Sequence, residues 1–144
     1  MSRFEDFAKR YLVVKEGVQG LAEQELAKAN TVYAAEMNAL QETIQALANA
    51  RKERSFSAKT AADIAAWDNY VNRLESIIKN KTTVISALRD SVDEKRKYVK
   101  EAYIDQKKWS TIVEQNTKKN LQRHELAAGR QADENAVMRH GRST

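Results

Sequence analysis

The chain has 144 residues, 25 Lys+Arg against 20 Asp+Glu, no proline, no cysteine and four glycines. Disulfides and thiolate metal sites are therefore excluded, which fits a reducing compartment. No apolar run reaches the roughly 18 residues of a membrane span, and MSRFEDFAKRYLVV lacks the apolar core of a secretory signal. A charged fraction of 31% with 7% aromatic residues suits a helical rod with a narrow apolar stripe better than a globule with a three-dimensional core.

The first predicted element is a helix from about residue 2 to about residue 52. Its stripe is Phe4, Phe7, Tyr11, Val14, Val18, Ala22, Leu26, Ala29, Tyr33, Met37, Leu40, Ile44 and Leu47. Steps of three and four give a period near 3.5, the pattern of a helix that packs lengthwise on another. Gly17 and Gly20 lie inside it as weak spots, each costing roughly 1 kcal/mol relative to alanine.

The stripe breaks in a polar stretch, and a turn is predicted at about residues 53–60. Thr60 with Asp63 has the spacing of a capping box and opens a second helix over about residues 61–127. The second stripe is Trp67, Tyr70, Leu74, Ile77, Lys81, Ile85, Leu88, Val92, Lys95, Val99, Ala102, Gln106 and Trp109, ten of the thirteen being apolar.

Folding the chain back at residue 57 pairs Leu47 with Trp67, Ile44 with Tyr70, Leu40 with Leu74 and Met37 with Ile77. Lys81 then lies on the Tyr33 ring, and Phe4 meets Trp109. The expectation is an all-α protein, a single elongated domain built as a long antiparallel two-helix coiled-coil hairpin. In this register nothing after Val113 has an intrachain partner. The remainder is a helical C-terminal overhang that frays into a basic tail over about residues 128–144, ordered when bound.

Charge is uneven. Residues 1–94 hold 13 basic and 14 acidic side chains; residues 95–144 hold 12 and 6, so an acidic partner surface is steered to the last third. Catalysis has no foothold. The two histidines, His124 and His140, lie in the tail, and there is no phosphate loop, no HExxH and no nucleophile with a placed base. The basic tail lacks stacking aromatics and any groove-fitting motif, which argues against nucleic acid. A binding protein without catalysis, cofactor or metal is expected. A homo-oligomeric structural coiled coil is the alternative class.

Three stretches carry a resemblance. They are Arg3-Phe4-Glu5-Asp6-Phe7 leading through Leu12-Val13-Val14-Lys15-Glu16 to Glu23-Gln24-Glu25-Leu26-Ala27-Lys28-Ala29; then Trp67-Asp68-Asn69-Tyr70-Val71-Asn72-Arg73-Leu74-Glu75-Ser76-Ile77-Ile78; and near the end Asp133-Glu134-Asn135-Ala136-Val137-Met138-Arg139. In order, spacing and length the chain resembles the FliJ family of the bacterial flagellar export apparatus. Stalk proteins of virulence type III secretion share that plan and stand as the alternative branch.

The resemblance implies a cytoplasmic, non-enzymatic stalk, peripheral at the cytoplasmic face of the inner membrane. Its implied partners are the export ATPase (FliI-like), the export-gate membrane protein (FlhA-like) and export chaperones, with no direct membrane insertion. The family's gate-contacting positions fall on Tyr70, Leu74, Ile77 and Lys81, and on Met37, Leu40, Ile44 and Leu47. The basic overhang implies ATPase-ring contacts at Lys118, Lys119, Arg123 and Arg130, beside Phe4, Phe7 and Trp109.

Overall fold

In the computed structural model, which describes residues 3–142, two long α-helices pack against each other as a hairpin. Helix α1 spans Arg3–Ser57 and α2 spans Ala61–Arg142. The described residues contain no strand. The predicted start at Ser2 lies outside the described residues.

Both helices run further than the sequence pattern suggested. Helix α1 continues past residue 52 to Ser57. Its last turns are held by local bonds: the Ser55 hydroxyl donates to the Arg51 carbonyl at 3.2 Å, and the Ala58 amide donates to the Arg54 carbonyl at 3.2 Å. The connection is only Ala58, Lys59 and Thr60. The capping box forms as expected. The Asp63 amide donates to the Thr60 hydroxyl at 3.1 Å, and the Asp63 carboxylate accepts from the Thr60 and Lys59 amides at 3.2 and 3.3 Å. Those amides, Lys59 first, hold the Asp63 carboxyl below the usual carboxylate range. Helix α2 continues past residue 127 to Arg142. Ala127, Ala128, Gln131, Ala132, Glu134 and Ala136 are strong helix formers, and one internal Gly129 does not stop them.

The chain divides into two compact units, and each is described by itself. The turn unit is Leu21–Lys100. Its core is Leu47, Ala50 and Leu74, with Ala46, Trp67, Val71 and Ile78 packed against it. Ala22, Ile85 and Val92 are also buried along its seam. Alanines at such positions let two helix backbones approach closely.

This unit corrects the expected register. Leu74 packs with Leu47, whereas the pairing read from the stripes set it against Leu40. The difference is seven residues, one heptad. Two ion pairs agree with the shifted pairing: Arg54 reaches Asp68 at 2.7 Å and Arg51 reaches Glu75 at 2.8 Å; Tyr33 lines a groove with Arg89 and Val92 and not with Lys81, whose ammonium bonds Glu36 at 3.2 Å. A heptad slip superimposes one stripe on the next repeat of the other, so the apolar pattern alone does not distinguish the two. Helix α1 running on to Ser57 moves the turn and takes the register with it.

The terminal unit is the described part of Met1–Gly20 with Glu101–Thr144. Here the shifted register carries pairing beyond Val113, contrary to expectation: the Asn120 amide donates to the Glu5 carboxylate at 2.5 Å. Glu5 and Ala8 are buried, while Phe4, Phe7 and Val14 of the expected stripe remain 53, 54 and 55% exposed. The seam is thus rotated by one position toward small and polar residues. From Leu121 to Gly141 every residue is exposed.

Candidate functional site

The turn unit carries the eight positions that the resemblance marks for the gate. They do not form one open surface. Leu47 and Leu74 are core. Ile77, Met37 and Leu40 are half-buried in the seam, and Lys81 is half-buried and tied to Glu36. Tyr70 and Ile44 are the accessible members, at 39 and 41% exposure. Tyr70 stands edge-on to Trp67 with ring centroids 6.1 Å apart. Seven residues along the helix from Leu74, Trp67 marks where the packed core gives way to the exposed alanines Ala61, Ala62, Ala65 and Ala66.

The terminal unit gathers the other set. Phe7 stacks on Tyr11 at 5.6 Å, and both meet the Trp109 ring edge-on, at 6.2 and 4.5 Å. Phe4 is half-exposed beside this cluster in sequence. The Lys15 ammonium lies 5.0 Å from the Tyr11 ring and pairs with Asp105 at 2.6 Å; that carboxylate raises the lysine's pKa above its ordinary value. Lys118, Lys119, Arg123 and Arg130 are all exposed. They share the last part of α2, and Arg123 lines a groove with Glu5 and His124.

Sequence reasoning missed the polar end of the seam. Glu5 accepts from Lys9 at 3.1 Å and from Asn120; Lys9 first, then the Asn120 amide, hold its carboxyl below the usual range against the opposing effect of burial. One turn before Asn120, the buried side-chain nitrogen of Asn116 has no hydrogen-bond partner. Glu5, Thr117, Asn120, Leu121, Arg123, His124 and Ala127 line a shallow groove there. The available signal was the four-residue spacing of Asn116, Asn120 and His124, which puts three polar side chains on one face of a helix.

No group of acidic, histidine or cysteine side chains among the described residues is arranged to hold a metal. Among the described residues, no helix is long and apolar enough to cross a membrane. The arrangement leaves three accessible features: an aromatic and apolar edge near the turn, an aromatic cluster near the termini, and a basic exposed helix.

A family model described as the flagellar FliJ protein matches residues 18–144. The chain belongs to the FliJ family. The match covers most of both helices and favours the flagellar branch over the virulence branch that the sequence left open. FliJ membership makes this a flagellar export-associated protein. The first of the three resembling stretches lies partly before residue 18, so the FliJ match rests on the remainder of α1 and all of α2. No curated protein and no solved structure matches the chain significantly.

Proposed function

We propose that this FliJ protein is a non-enzymatic stalk of the flagellar export machine. Its α2 overhang engages the export ATPase ring, its turn-proximal edge contacts the export-gate membrane protein, and it helps handle export chaperones at the cytoplasmic face of the inner membrane.

One observation carries the reading: α2 runs on as exposed helix from Leu121 to Gly141, past the Glu5–Asn120 bond. A helix that docks on a flat partner needs its apolar residues on one side. Here, at 3.6 residues per turn, Leu121, Leu126 together with Val137, and Met138 point to three different sides of the axis, and Arg123 and Arg130 lie between the last two. That distribution suits an enclosing partner, such as the opening of a ring. The helix also has no apolar stripe with which to pair with a second copy, which disfavours the structural-oligomer alternative.

The test is truncation after Asn120, which keeps the Glu5–Asn120 bond and the aromatic cluster and removes the exposed end of α2. The truncated protein should keep its thermal melting curve and lose association with a purified export ATPase, and the full-length interaction should weaken as salt rises. Retained ATPase binding would send the search to Phe4, Phe7 and Trp109. For the gate, Tyr70→Ala and Ile44→Ala change accessible side chains, so they should weaken binding to the gate protein with little loss of helicity.

A further inference from the structure

The start of α1 carries two lengthwise stripes, and the hairpin is built on one of them. The seam takes Glu5, Ala8, Leu12 and Lys15, which are buried or half-buried. One position before each of these stand Phe4, Phe7, Tyr11 and Val14, followed by Val18, in steps of 3, 4, 3 and 4. Phe4, Phe7 and Val14 are more than half exposed, while Tyr11 and Val18 are half-buried. Helix α2 reaches the inner margin of this second stripe through the Trp109 ring, which meets Phe7 and Tyr11 edge-on. After Leu21 the same heptad positions hold Glu25, Lys28, Val32, Ala35, Ala39 and Glu42. The doubled pattern therefore belongs to the start of α1. Single exposed apolar side chains are ordinary, but a heptad row of them has the spacing that receives a helix laid alongside.

The charges around the stripe say what kind of helix fits. Going round the helix at 3.6 residues per turn, the exposed Arg3 and Arg10 lie about 60–80° to one side of its centre. Lys15 lies about 60° to the other side, paired with Asp105. The acids of this stretch, Glu5, Asp6 and Glu16, are all turned about 120° or more away. On α2, the exposed Lys119 stands one position before Asn120, as Phe4 stands one before Glu5. The rim is basic. A second copy of the chain laid on this stripe antiparallel would set Arg3 and Arg10 against Arg10 and Arg3; laid parallel, it would set Arg10 against Lys15. Like charges facing across a helix pair oppose both arrangements.

We propose that the stripe of Phe4, Phe7, Tyr11, Val14 and Val18 is a docking surface for an amphipathic helix of another protein, one whose apolar face is flanked by Asp and Glu. The docked helix makes the terminal unit a three-helix coiled coil. Its apolar side chains cover the exposed faces of Phe4, Phe7 and Val14, and its acids meet Arg3 and Arg10. The surface lies on α1, so the proposal stands or falls separately from the reading of the α2 overhang, which truncation after Asn120 tests.

The probe is a labelled synthetic peptide about three heptads long, with Leu at positions a and d and Glu at e and g. A twin carries Lys in place of Glu. Fluorescence anisotropy with the full-length chain should show saturable binding of the Glu peptide, at least tenfold tighter than the Lys peptide. Phe7→Ala/Val14→Ala, which trims side chains that are half in water, should weaken the Glu peptide at least tenfold. Arg3→Glu/Arg10→Glu should reverse the preference, so that the Lys peptide binds the variant better. This second variant changes exposed side chains and keeps the test open if the first one loses helicity. Tyr70→Ala/Ile44→Ala, at the edge near the turn, should leave the affinity unchanged. Absence of saturable binding would overturn the proposal, as would equal affinity for the two peptides. Binding that ignores Phe7→Ala/Val14→Ala would also overturn it, by reducing the effect to a general attraction between an acidic peptide and a basic chain. So would a dimer of the full-length chain in sedimentation that Phe7→Ala/Val14→Ala dissociates, since a second copy would then be the occupant.

Discussion

The two ends of this protein solve the same packing problem with different materials. Near the turn, the seam is Leu47, Ala50 and Leu74, with ion pairs outside it. Near the termini, the seam is Glu5, Ala8 and Ala102, with Phe7, Tyr11 and Trp109 beside it and Phe4 half out of it. Aliphatic side chains that interlock give energy through burial, about 1.5–3 kcal/mol for each one fully covered. An alanine and a hydrogen-bonded carboxylate give less energy and more geometric definition, because the partner of Glu5 has to be at one position. The first region is built to hold, and the second is built to align helices while leaving Phe4 and Phe7 half exposed.

The contrast can be broken by mutation. Leu74→Ala should cost most, about 2–5 kcal/mol in denaturant unfolding, because it opens a cavity in the core at the turn. Phe7→Ala should cost clearly less, since its ring is half in water. A Phe7 loss equal to that of Leu74 would mean that the aromatic cluster is a second core. Thr60→Ala removes the helix cap and should cost about 1 kcal/mol. Asn120→Ala, which leaves Glu5 without one donor, should shift the midpoint less than Leu74→Ala does. It should instead raise amide exchange at the start of α1.

The smallest effect is in pH. Glu5 and Asp63 both have carboxyls held below their ordinary values. A group lowered in the folded state adds stability that is fully present above its ordinary pKa and is lost as pH falls through the lowered value. Melting temperature should therefore be flat from neutral down to about pH 5 and decline below about pH 4. Glu5→Gln should reduce that decline, and an unchanged acid limb would remove Glu5 from it.

Most of the fold was legible because a period of 3.5 is a strong signal and the capping box at Thr60 and Asp63 is a local one. The register was not legible, for a reason inherent in the repeat. Leu40 and Leu47 are equivalent to any argument from apolar spacing, and only the exact length of α1 decides between them. The end of α1 carries no proline or glycine to mark it, so the sequence placed the turn too early and misplaced Lys81, Phe4 and the start of the overhang with it. For the candidate site, the basic residues were placed on an exposed helix as composition suggested. Leu47 and Leu74 were assigned by resemblance, and burial could not be read from a stripe in which every member looks alike. Glu5 was passed over because an acid among apolar residues reads as surface until its partner, far along the chain, is known.

The spacing of the contacts has a consequence for how the molecule is made. In an antiparallel hairpin the loop that each contact closes grows with distance from the turn. Arg51 and Glu75 are 24 residues apart, whereas Glu5 and Asn120 are 115 apart. The difference in closure entropy is about 1.4 kcal/mol against the far contact if it forms first. The chain should therefore zip from the turn outward. During synthesis α1 emerges complete, with its stripe uncovered, until Leu74 leaves the ribosome. The export protein is itself an open surface for that interval, and its last act of folding is to seat Glu5 against a helix made long after it.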